Sequence, residues 1–80
     1  MKKNYPEKIL DAVVAILMEM RQQQGLSQEK LAIKAGLTRP AVSFMESGRN
    51  RPSLYVCIKL ADAMGMSFSK LAKEAEKRVK

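Results

Sequence analysis

Residues 25–53 read GLSQEKLAIKAGLTRPAVSFMESGRNRPS, and the fold turns on how this stretch is parsed. Ser27 is an N-cap residue whose hydroxyl can accept from the free amides of a first helical turn, and Leu31, Ala32 and Ala35 follow as an apolar stripe at helical spacing. Gly36 ends that helix, because a residue without Cβ suits the position just past a helix end, and Leu37 can cover the turn. Thr38 is placed to cap a second helix. Arg39 and Pro40 occupy its first turn, where the amide that proline lacks would have had no partner. Val42 and Met45 face inward together, and Gly48 closes the helix. A cap, a short helix, a glycine-containing turn and a second short helix describe a helix-turn-helix over residues 27–47.

Outward from this motif the pattern stays helical. Residues 1–3 form a basic tail expected to fray. Asn4 and Glu7 have capping-box spacing with Pro6 in the first turn, so a first helix is expected over residues 5–24, stopping at Gly25. Leu10, Val13, Val14, Leu17 and Met20 make its inward stripe, and Tyr5, Ile9 and Ile16 widen that stripe on one side, against the C-terminal helix or a partner. After the basic loop at 49–52, Ser53 caps a fourth helix running to about Met64 with Leu54, Cys57, Ile58 and Ala61 inward. Ser67 caps a fifth, over 67–79, where Phe68, Leu71, Ala72, Ala75 and Val79 form the apolar stripe. The reading is an all-α, five-helix domain spanning residues 1–80, with no strand pattern and no repeat.

Composition bounds the function. Fifteen Lys and Arg against 8 Asp and Glu give a net charge of +7 on 80 residues, a field suited to phosphate backbones, anionic membranes or simple solubility. The longest apolar run, residues 12–18, is too short to span a bilayer, so no membrane role is expected. With no histidine and one cysteine, neither a metal site nor a disulfide is expected, and no cofactor is implied. Cys57 reads as a small core residue rather than a redox-sensing thiol, in keeping with a cytoplasmic protein. No nucleophile–base pair, phosphate-cradling loop or carboxylate constellation speaks for an enzyme.

The segments GLSQEKLAIKAGLT, VSFMESGRNRPSL and LADAMGMS, in that order between residues 13 and 71, resemble the phage-repressor and Cro-type helix-turn-helix domains of bacterial and phage transcription regulators, a lambda-repressor-like fold. The resemblance implies that the second motif helix lies in the major groove of double-stranded DNA while the first crosses the backbone. On a helical projection Val42 and Met45 face the core with Ala41 beside them, leaving Arg39, Pro40, Ser43, Phe44 and Ser47 outward, next to the capping Thr38. Arg39 is the leading base reader, its guanidinium matching the O6 and N7 acceptors of guanine, with a phosphate contact as the alternative. Phe44 can press on a thymine methyl, pack on the fourth helix or meet a neighbouring subunit. Ser43 can reach a base or a phosphate, and Pro40 offers only shape. The resemblance also implies a phosphate contact for Gln28 at the first motif helix, and Arg49, Asn50 and Arg51 belong near the sugar-phosphate backbone. It further implies an ion pair between Arg21 and Glu46 that locks the first helix to the motif.

One such domain touches few base pairs, so a homodimer on a palindromic operator is expected, paired through Phe68, Leu71, Ala75 and Val79 or through the broad first helix. The leading reading is a dimeric repressor. The alternatives are an antitoxin-type regulator, or an adaptor that binds a protein partner through its apolar helix surfaces.

Overall fold

In the computed structural model, which describes residues 3–80, the chain forms five α-helices. They are α1 (Tyr5–Gln23), α2 (Gln28–Ala35), α3 (Arg39–Glu46), α4 (Leu54–Ala63) and α5 (Phe68–Val79). Each starts on a side-chain cap that accepts from the amide three residues on: Asn4 from Glu7, Ser27 from Lys30, Thr38 from Ala41, Ser53 from Val56 and Ser67 from Lys70, at 3.0–3.3 Å. These bonds satisfy amides that have no partner inside the helix. At the end of α2, Gly36 takes φ 70°, the Leu37 amide donates to Ala32 at 2.8 Å and the Gly36 amide to Ile33 at 3.1 Å. The left-handed glycine thus closes the last free carbonyls and turns the chain sharply into α3. Of the tail expected at residues 1–3, Met1 and Lys2 lie outside the described residues, while Lys3 is ion-paired with Asp11 at the surface.

The core takes one fully buried branched side chain from every helix: Leu17, Leu31, Val42, Leu60 and Leu71. The longest helix, α1, packs most extensively on α5 and also touches α3 and α4, while α2 lies against α3 and α4. The two motif helices therefore sit on one side of a scaffold made by α1, α4 and α5. Cys57 is buried among apolar neighbours, and that burial pushes its thiol above its ordinary pKa, so it has little thiolate to react.

Three expectations about burial need correction. On α1, Ile16 is a core residue at 4% exposure, together with Ala12 and Leu17, while Leu10, Val13, Val14 and Met20 are only half-buried. The inward direction is set by where α5 crosses, which a broad apolar arc does not reveal. On α4, Leu54 and Ile58 are exposed; Cys57, Leu60, Ala61 and Met64 are the buried set. On α5, Leu71 and Ala75 are fully buried and the helix packs on α1 of the same chain, so this stripe is intramolecular and has no surface to offer a partner at those two positions. Val79 packs at the edge of the core, and of the four residues expected at a dimer interface only Phe68 is exposed.

Candidate nucleic-acid interface

The outer face of α3 is built from the first turn upward. Thr38, Arg39 and Pro40 are exposed, Ala41, Ser43 and Phe44 are half-buried, and Val42 and Met45 are buried beneath them. The eight-residue helix is therefore anchored by two side chains and presents the rest. Ser43 Oγ donates to the Pro40 carbonyl and Ser47 Oγ to the Phe44 carbonyl, at 3.5 and 3.2 Å, so both hydroxyls are held against the helix and keep their acceptor capacity outward.

At the base of α3 sits a polar clamp. Arg21 donates from Nε to Glu46 Oε2 at 2.7 Å, from Nη2 to Glu46 Oε1 at 3.0 Å and from Nη1 to the Leu26 carbonyl at 2.7 Å. Gln28 Nε2 adds a bond to Glu46 Oε1 at 2.9 Å. The side chains of Arg21 and Glu46 are only 13% and 3% exposed. One carboxylate thus ties the last turn of α1, the α1–α2 link, the first residue of α2 and the last residue of α3. A fork-on-carboxylate pair is geometrically strict, so the clamp fixes the orientation of α3 relative to α1 and α2. Gln28 uses one of its two amide protons on Glu46 and keeps the second for a group outside. Nothing in the local sequence around Gln28 announces this bond, since it depends on α3 returning beside the start of α2.

The turn that follows this same C-terminal end of α3 breaks a pattern. Past each of the four positive-φ glycines the next residue donates back to the preceding helix, and at three ends that residue is apolar and packed on the core: Leu26, Leu37 and Met66. After Gly48 it is Arg49. Its amide donates to the Phe44 carbonyl at 2.9 Å, Asn50 adds a second amide at 3.2 Å, and the Arg49 guanidinium lies 4.5 Å from the centroid of the Phe44 ring. The place where a hydrophobic contact normally seals the turn is filled by a cation stacked on an aromatic face. The Phe44 ring thus carries Arg49 on one face, a neighbour that the sequence reading did not include among its expected partners.

Charge follows the same face. Between residues 38 and 53 the bases are Arg39, Arg49 and Arg51, all exposed, and the one acid is Glu46, whose side chain is buried and paired. Asn50 stands between two of those arginines, also exposed. Lys30 and Lys34 are solvated on α2. Among the described residues no group of His, Cys, Asp and Glu could hold a metal ion, and no helix is long and apolar enough to cross a membrane.

A family model described as helix-turn-helix matches residues 17–71. The chain is 43% identical over 61 residues to the HTH-type transcriptional regulator PuuR of Escherichia coli, an alignment covering 76% of this chain and 33% of that protein. It is 40% identical over 50 residues to an uncharacterized HTH-type transcriptional regulator of Methanothermobacter thermautotrophicus, covering 62% of this chain and 72% of that one. It is 42% identical over 50 residues to the uncharacterized HTH-type transcriptional regulator YgzD of Bacillus subtilis, covering 62% of this chain and 76% of that protein. The chain spans about a third of the length of PuuR. No solved structure matches it significantly.

Proposed function

The chain belongs to the helix-turn-helix family, and from that premise we propose that it is a sequence-specific DNA-binding transcriptional regulator, acting as a repressor when paired on a palindromic operator. The observation that carries this reading is the segment of α3 and its following loop, residues 38–53, whose three arginines are exposed and whose one acid, Glu46, is buried and paired with Arg21. The names of the relatives agree with it.

In this mechanism α3 enters the major groove with Arg39 and Pro40 leading. Arg39 reads guanine through a bidentate contact that discriminates by roughly 1–3 kcal/mol, and Ser43 reaches the next base edge or phosphate. Thr38, at the helix N-terminus, and the second amide proton of Gln28 bind phosphate on one side of the groove. Arg49, Asn50 and Arg51 bind it on the other, with Phe44 serving as the platform that holds the Arg49 guanidinium at the end of the helix. Two copies read half-sites about 34 Å apart, one turn of the double helix.

A selection from random oligonucleotides with the wild-type chain and with Arg39→Ala tests the reading. Enrichment of a palindrome with guanine in each half-site, relaxed at that base in the variant, is expected. Salt-sensitive binding with no enriched sequence would reject it.

A further inference from the structure

We infer that the outer face of α4 is the surface through which two copies of this chain pair, an inference that rests on the dimer in the reading above and specifies where it forms. The helix LYVCIKLADA carries only two charges, Lys59 and Asp62, and is apolar nearly all the way round. Its inner side is filled by Cys57, Leu60 and Ala61, yet Leu54, Tyr55 and Ile58 remain 60%, 66% and 41% exposed on the outside. A helix apolar on every side belongs in an interior. Here one side of it faces water. Leu54 also borders an open groove of about 500 Å³ whose lips include Tyr5 and Phe68, themselves 59% and 41% exposed, so the patch continues from α4 onto the starts of α1 and α5.

The occupant follows from size. At roughly 200 Å² for a fully exposed large side chain, these five present on the order of 500 Å². Two such patches with their polar rims reach about 1,200 Å², where specific, stable interfaces begin. Antiparallel pairing of α4 with its copy, centred between Leu54 and Ile58, sets each Leu54 against the other copy's Ile58. The other exposed apolar residue, Ile33 on α2, is flanked by Lys34 and lies outside this patch.

Sedimentation velocity on the full chain over a micromolar range, with circular dichroism to verify helix content, tests the surface with Ile58→Glu, Tyr55→Glu and Ile33→Glu. The expected result is a dimer dissociation constant raised at least roughly 100-fold by either α4 variant, since each would bury a carboxylate in an apolar contact, and unchanged by Ile33→Glu. Tyr55 is exposed enough that its replacement leaves the fold intact. Wild-type-like dimers in both α4 variants would overturn this surface while leaving pairing itself standing. A wild-type chain that stays monomeric free and on its selected operator would overturn pairing and this surface with it.

Discussion

Arg21 grips Glu46 at 2.7 and 3.0 Å inside the motif, and Arg78 grips Glu19 at 2.8 and 2.6 Å between α5 and α1. Both are forks on a carboxylate with nearly equal geometry. What differs is water: the first pair has side chains 13% and 3% exposed, the second 43% and 48%. In the first, the surroundings cannot replace a lost partner, so the pair is an all-or-nothing joint. In the second, solvent takes over whatever is removed. The joint between the DNA-reading helices and the scaffold is therefore strict, whereas the outer seam between α1 and α5 depends on apolar packing, with its ion pair as a rim.

The largest effect should come from breaking the buried pair. Glu46→Ala leaves the Arg21 guanidinium under cover with only the Leu26 carbonyl and leaves Gln28 without its acceptor, so a loss of roughly 3–5 kcal/mol is expected in urea unfolding. Arg21→Ala should lose a similar amount, and the double variant much less than the sum. Additive losses would show that the two residues do not act as a unit.

Gln28 grades the same joint. Gln28→Ala removes one hydrogen bond to an ionised group, a loss of about 1.5–3 kcal/mol, less than that of either charge. Gln28→Glu should do more harm than Gln28→Ala at neutral pH, because it sets a second carboxylate against Glu46. The gap should close at acid pH, where the introduced carboxyl is protonated and no longer repels its neighbour. Thermal melts of both variants at pH 7 and at acid pH read this directly, and a gap independent of pH would mean that the new carboxylate simply swings into solvent.

Legibility in the sequence divides along the same line between local and returning chain. Helix starts were readable because Asn4, Ser27, Thr38, Ser53 and Ser67 each cap amides within three residues, and the turns because glycine follows each short helix. The inner face of α4 was not, since a helix with apolar residues on all sides has no phase to read: Leu54 and Ile58 look as buried as Leu60. The α5 stripe announces that something covers it but not whether α1 of the same chain or another copy does. At the candidate interface, the outward set on α3 comes from helical projection alone, while the Arg49 stack on Phe44 and the Gln28 bond to Glu46 require knowing how the chain folds back.

The smallest effect belongs to the exposed pair, and its pH dependence carries a definite sign. The Arg78 hydrogen bond, aided by its charge, holds the Glu19 carboxyl below its ordinary value of 4.5, although partial desolvation opposes this. A carboxyl whose folded pKa is depressed stabilises the fold above its unfolded pKa and loses that contribution as pH falls through the folded value. Glu19→Gln should therefore lower the melting temperature slightly at pH 6–8, by an amount that shrinks with added salt, and should match the wild type once the pH lies well below 4.5. Glu46 offers the contrast, since its pair is shielded from the ions that screen Glu19. If added salt instead narrowed the gap between Glu46→Ala and wild type as much as that between Glu19→Gln and wild type, burial would not be what separates the two pairs.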